Sequence, residues 1–323
     1  MLFKNAKGPE RGRTAGEVAA GIYIGGIAAL AGATGVPYIL FPELGALAHD
    51  VLTRPRGTWA KAPLLLVATP VLTALVGTLI ARTMAYGVPS ILLTIASAIV
   101  VIRLLRSPIA PAISAGLLPL TLGVTSWLYP PAILLGTGLL AGLVLLRRRF
   151  APMPPEPVSA TDRLDDLVEM PPAEYSWIPF FLAFLAFDGV LAVTTGWRFL
   201  LYPPLVVIGF EMFAHSAICP WSDRPLALPI ACAASGAVGT AIVTLAGTGP
   251  IAVMVSMAGG IVILRLFRLH VPPALAVGLL PFVIDHVDAR FPVAVGISTA
   301  LLAGTFLLWR RVSSELRANE ISE

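Results

Sequence analysis

Charge is scarce in this chain of 323 residues: Asp, Glu, Lys and Arg together make up 12%, about half of the ~25% usual in soluble domains. With 57% hydrophobic residues, such a chain dissolved in water would expose large apolar patches and aggregate. That excludes an ordinary water-soluble fold. The formal charge of +4 is no nucleic-acid signal, because the basic residues sit at the ends of apolar blocks. Cysteine is nearly absent. Cys219 and Cys232 form no CxxC pair and fit no disulfide framework or metal motif. Walker A, G-x-S-x-G, HExxH and Rossmann signatures are all missing, and no polar stretch is long enough for a catalytic domain. An ATP-driven pump working alone is therefore disfavoured, and neither enzyme activity, cofactor nor metal is expected. A cleavable signal peptide is not expected either. Lys4, Lys7, Arg11 and Arg13 precede an apolar run from Ala15 to Gly35 that is too long for one and lacks a cleavage site. Alternating ~10-residue strands of a membrane barrel are also missing.

What is present is hydrophobicity in blocks, with mean hydropathy +0.87. The blocks run roughly 15–21 residues, about what spans a ~30 Å hydrocarbon core, and helices satisfy their own backbone there. The chain also aligns on itself without gaps at a shift of 162. Pro42 falls on Pro204, Trp59 on Trp221, Val76-Gly77-Thr78 on Val238-Gly239-Thr240 and Arg103-Leu104 on Arg265-Leu266. Arg106 falls on Arg268, Gly116-Leu117-Leu118-Pro119 on Gly278-Leu279-Leu280-Pro281, and Arg148-Arg149 on Arg310-Arg311. Apolar coincidences are cheap in such a sequence; Trp, Arg and Pro in one register are not.

The expected fold class is thus an all-α polytopic membrane protein: two parallel repeats of about six transmembrane or half-membrane helices each. The segments are 16–34, 36–52, 63–81, 87–103, 108–123 and 128–146, then 177–196, 201–216, 226–246, 250–266, 271–285 and 291–309. The second and fifth of each set are short and contain proline. Alternating the twelve segments places nearly all Lys and Arg on the side of the N-terminus and leaves Arg82, Arg198 and Arg290 opposite; by the positive-inside rule that side is cytoplasmic. The divisions are 1–149 and 177–311 for the membrane repeats, a cytoplasmic Pro-rich acidic linker over 150–176, and a cytoplasmic tail over 312–323. The linker composition reads as a flexible tether. The expected location is the cell inner membrane, multi-pass, with both termini cytoplasmic.

Ionisable residues inside spans normally face a partner or a wet cavity. Asp188 lies mid-segment. Glu211 lies deep in its segment with His215 four residues on, which places both on one helix face. The equivalent segment of the first repeat carries Glu43, His49 and Asp50, and the shift maps His49 onto Glu211. These groups are candidates for a substrate or proton site between the repeats, or for buried pairs that fix helix packing. Arg103 with Arg106, and Arg265 with Arg268, recur at the end of the fourth segment; they read as topology anchors or as an anion-attracting vestibule. Asp285, His286 and Asp288 read as a solvated turn rather than a metal site. Glu17 reads as interfacial. Gly21-x-x-x-Gly25 and Gly138-x-x-x-Gly142 read as small-xxx-small contacts between helices.

Three stretches carry a family resemblance. Phe41 to Leu52, then Thr53-Arg54-Pro55-Arg56-Gly57, are followed by His270-Val271-Pro272-Pro273-Ala274 running on to Gly278-Leu279-Leu280-Pro281. The first half has Ser107-Pro108-Ile109-Ala110-Pro111-Ala112 in the last place. In these the chain resembles the HPP family of integral membrane proteins, as a diverged form with two tandem copies. Valine is inserted into the His-Pro-Pro core of the second copy, and the first copy has no histidine there. Some members of that family are implicated in nitrite transport, so the resemblance implies permeation of a small anion near the short fifth segments, with His270 beside the path. The functional expectation is a secondary transporter or channel-like permease for a small solute, an anion being the candidate class. Substrate-binding candidates are Glu43, His49, Asp188, Glu211, His215, Arg106, Arg268 and His270. The alternative is a non-transporting membrane scaffold or assembly subunit; a weaker third is an intramembrane enzyme acting on lipids. Expected partners are membrane lipids, the small-molecule or ion substrate and a further copy of the chain, with no nucleic acid.

Overall fold

The computed structural model of the protein describes residues 8–150, 160–170, 172 and 176–322. Among them are fourteen α-helices, three 3-10 turns and no strand. The helices are α1 (Gly8–Thr34), α2 (Glu43–Thr53), α3 (Thr58–Lys61), α4 (Pro63–Thr83), α5 (Val88–Leu105), α6 (Ala112–Leu122) and α7 (Tyr129–Phe150). After these come α8 (Ala160–Val168), α9 (Ile178–Thr195), α10 (Pro203–Ala214), α11 (Ala227–Ala246), α12 (Pro250–Phe267), α13 (Pro273–Leu279) and α14 (Arg290–Ser322).

Eight of these, α1, α4, α5, α7, α9, α11, α12 and α14, are long and apolar enough to cross a membrane. Only 33–50% of each apolar window is buried. The outward faces carry exposed Leu79, Leu93, Leu135, Val190, Ile251 and Val262, a surface that suits lipid and not water. The make-up is that of a multi-pass membrane protein. The short helices differ. In α2, α6, α10 and α13 nearly every residue is buried, so these form the core and the long helices form the wall.

Proline explains where the short elements begin and end. Pro203 and Pro273 open α10 and α13 at the helical position where the missing N–H is no loss. Pro119 lies within α6, which ends three residues later at Leu122 and is capped by Gly123 in the left-handed region (φ 73°). The equivalent Pro281 falls in a 3-10 turn, Leu280–Val283, that continues α13. Arg106 and Arg268 end α5 and α12, and they are the only non-glycine residues with positive φ (48° and 51°) among those described.

The core elements cross between the first and second halves of the chain, with α2 packed on α13 and α10 on α6, while α10 also packs on α13 within the second half. The walls follow, with α1 against α12 and α5 against α9. Two ends of the bundle can be told apart. At one end the Trp59 indole N–H donates to the Pro108 carbonyl (2.9 Å), Arg147 to Leu52 O (3.1 Å) and Arg148 to Ala60 O (2.5 Å); this is the basic end. At the other, Arg82 donates to Thr125 O, and the Arg198 guanidinium lies 4.9 Å over the Tyr86 ring.

Helices approach most closely at glycines other than those expected. A Cβ on Gly77 of α4 would overlap the Gly116 carbonyl of α6, and one on Gly239 of α11 would overlap the Gly278 carbonyl of α13. Gly21, Gly138 and Gly142 face open space; only Gly25 meets a neighbour, the Met254 side chain. The G-x-x-x-G spacing therefore marks lipid-facing surface at most of its positions here, which corrects the sequence expectation. Gly77→Ala should lower thermal stability by ~1–3 kcal/mol, the usual cost of overpacking against atoms that cannot yield. Gly138→Ala should leave the melting temperature within error. Both are read by a thermal unfolding assay in detergent.

Candidate functional site

The basic end of the core is where the ionisable side chains gather. The C-terminal turn of α2 presents Asp50, and the residue after the helix is Arg54, whose backbone N–H bonds to Asp50 O (2.7 Å). The Arg54 side chain turns inward and is 8% exposed. Its Nη1 donates to Asp50 Oδ1 (2.7 Å) and Glu169 Oε1 (2.6 Å), and its Nη2 to Asp166 Oδ1 (2.5 Å). Asp162 and Asp165 lie 3.8 and 3.9 Å from the same guanidinium. One guanidinium is thus ringed by five carboxyl groups, four of them from α8 and the residue following it.

That helix lies in the segment expected to be a flexible tether. Residues 160–168 are instead helical and docked on the bundle, with Asp165, Val168 and Glu169 buried. The reason is local charge. Asp162, Asp165, Asp166 and Glu169 recur at helical spacing, which turns four acids toward Arg54. Asp166 Oδ1 also accepts from the Thr58 backbone N–H (3.0 Å), and Lys61 Nζ stands 4.0 Å from its other oxygen. His270, just before α13, places Nε2 3.1 Å from Asp165 Oδ2.

Beneath α8 a gap of about 10 Å³ remains, near the lower limit for one water molecule. It is lined by Trp59, Asp165, Glu169, Glu211, Trp221 and His270, among others. Glu211, from the end of α10, is 2% exposed and within electrostatic reach of Asp165 and Asp50. The equivalent tryptophans differ here. The Trp59 indole is bonded to Pro108 O, whereas the Trp221 Nε1, 162 residues on, is buried with no hydrogen-bond partner. His270 stands where Pro108 would be in the first copy. Burial pushes the Glu169 carboxyl well above the ordinary range, and the Asp50 and Asp166 charges add to this against the pull of Arg54.

The sequence candidates separate into groups. His49, Glu211 and His270 lie in or beside this buried end. His49 Nε2 is 3.9 Å from Glu17, which is itself paired with Arg265. Glu17 is 8% exposed: it bridges α1 to α12 and is more than an interfacial residue. His215 ends α10 with its Nε2 unpartnered. Glu43 lies seven residues before Asp50, about 10 Å deeper along α2 at 1.5 Å per residue. It is 0% exposed and faces the Ser114 hydroxyl across a gap that is not a well-formed hydrogen bond; it does not line the cavity of Glu211. Asp188 is separate again, on α9, accepting from the Ser298 hydroxyl of α14 (3.2 Å) with its other oxygen unpartnered. Arg106 and Arg268 have exposed side chains, which puts them on the surface and not among the buried groups.

Asp288 caps α14, accepting from the Arg290 N–H (2.8 Å), and no group of three metal-binding side chains occurs among the described residues. His286, Asp288 and Arg290 instead edge an open cavity of about 220 Å³ at the far end, with Trp197, Arg198 and Phe291.

Asp50 was among the sequence candidates, but Arg54, Asp166 and Glu169 were not singled out by sequence reasoning as site residues. Arginine in a short loop reads as a topology anchor, and acids between prolines read as a solvated linker. One signal was available: the shift maps Arg54 onto Ser216, so it is an arginine that only the first copy carries. No family model, curated protein or solved structure matches the chain.

Proposed function

We propose that the chain is a membrane permease for a small anionic solute, built from two parallel copies of one unit about a pseudo-two-fold axis along the membrane normal. The basic end would face the cytoplasm, with both termini there. The observation that carries this is the meeting of four short, buried helices between the two halves, with the ionisable residues Asp50, Arg54, Glu211 and His270 at one end of that junction. Corresponding short segments at a repeat interface are where transporter binding sites form, and buried charge inside a membrane bundle is costly unless it serves a pathway. Supporting the duplication are the matched close contacts at Gly77–Gly116 and Gly239–Gly278 and the matched left-handed arginines. The HPP-like stretches lie at the same place: Arg54 lies in the second, and His270 opens the third.

The test is reconstitution in liposomes with anion and proton fluxes measured against empty vesicles. Glu211→Gln removes a titratable carboxyl without changing shape, so flux should fall at least tenfold while the melting temperature barely moves. A stability change with no flux in either protein favours a scaffold, in which these groups only pack.

A further inference from the structure

The docked α8 is hard to explain as packing alone. Its exposed face carries Leu164 and Leu167, while its acids are turned into the protein. Two of its side chains act together: Asp166 takes one nitrogen of Arg54 and Glu169, three residues on, takes another. This is how a guanidinium fork receives external carboxylates. Three polar atoms around the contact are buried and make no hydrogen bond: Arg54 Nε, which has only Asp162 Oδ1 at 3.8 Å, Trp221 Nε1 and Glu169 Oε2. Two of these are donors left over after α8 has docked, so the helix fits the site incompletely.

We propose that α8 is a displaceable plug: its carboxylates hold, at Arg54, the place of a small carboxylate ligand that binds at the basic end of the bundle. The ligand's oxygens would take Arg54 Nη1 and Nη2, with Nε, which Asp162 leaves when α8 moves away, and the Trp221 indole N–H as further donors. Asp50, which belongs to α2 and not to the plug, would stay on Nη1 and hold the guanidinium in place. Removing α8 exposes Glu211 and His270 to the same opening and enlarges the present gap from the size of one water to a vestibule. Ligand and plug would then compete for one site, so the path stays closed at that end until carboxylate is present. This rests on the permease reading for its consequence, but not for the competition itself.

The experiment is hydrogen exchange of the α8 amides in the full-length protein in nanodiscs. Saturating acetate or succinate should raise exchange of these amides at least tenfold, whereas chloride at the same ionic strength should not. In Arg54→Ala the amides should already exchange fast and ignore acetate. Unchanged exchange with either carboxylate, or an equal rise with chloride, overturns the proposal; the second outcome would mean that salt merely screens the ring of charges. A liposome arm separates this from the permease reading. Asp165→Asn and Asp166→Asn combined, with Glu169 kept, should open α8 and raise flux severalfold. If α8 opens and responds to acetate but neither protein conducts, the plug stands and the permease reading falls.

Discussion

Arg54→Ala should release α8 from the bundle, raising the exchange of its amides by two to three orders of magnitude. Arg54 is 8% exposed and is the positive centre of a group in which Asp50, Asp162, Asp165, Asp166 and Glu169 all lie within 4 Å. Removing one partner of a buried ion pair leaves uncompensated charge and typically costs ~3–5 kcal/mol. Each 1.4 kcal/mol is about tenfold in the opening equilibrium, which gives the expected range. Lys61 and His270 are poorly placed to replace it. Lys61 is mostly solvated and 4.0 Å from Asp166, and His270 reaches only Asp165. Arg54→Lys should lie between: it keeps the charge but loses the fork that meets Glu169 and Asp166 on separate nitrogens. The global melting temperature should fall much less than the local exchange changes, because α8 adds little to the apolar core formed by α2, α6, α10 and α13. Exchange of α8 in Arg54→Ala matching the wild type would mean that its docking is held by something other than this charge.

The sequence carried the walls of the fold better than its contents. Each long helix coincides with an apolar run that nothing else can use: Pro63–Thr83 was expected over 63–81, and Ala227–Ala246 over 226–246. The short segments were legible as short and proline-bearing. Their 3-10 entries at Pro37–Ile39 and Arg198–Leu201 were not, since those turns depend on packing against α1 and α9. The site was legible in half of its members. An acid in an apolar run stands out, so Asp50 and Glu211 were found, along with Glu43 and Asp188, which lie apart from the site. Arg54 and the α8 acids were missed because each reads as ordinary where it stands, a loop arginine and a polar linker. Their meaning arises only when residues more than a hundred positions apart are brought together. The glycine spacing erred for the opposite reason. G-x-x-x-G describes one helix face and does not say whether a second helix lies against it, whereas Gly77 and Gly116, on separate helices, meet only in the folded bundle.

Docking of α8 should also depend on pH, with a sign that the crowding of acids fixes. Glu169 is surrounded by Asp50 from α2, Asp162, Asp165 and Asp166 from α8, and Glu211 from α10, against Arg54, with His270 and Lys61 further out. Burial raises its proton affinity well above that of an ordinary carboxyl, and the Asp50 and Asp166 charges raise it further. Once α8 leaves, Glu169 is in water at the usual carboxylate value. The docked state therefore binds the proton more tightly than the open state, and protonation favours docking. The stabilisation is complete below the ordinary carboxylate range and is lost as pH rises through the raised docked value, at up to about tenfold per pH unit. The measurement is the protection factor of the α8 amides, which divides out the intrinsic base-catalysed rise in exchange, followed between about pH 5 and 8. It should fall across that window in the wild type. Glu169→Gln carries the neutral form at every pH, so its protection should stay near the low-pH level of the wild type and lose most of its slope. A protection factor that climbs with pH, or a Glu169→Gln protein that tracks the wild type, would place the docking proton on another group. For a permease closed at its basic end by α8, the same titration would make alkaline conditions on that side the ones that open it.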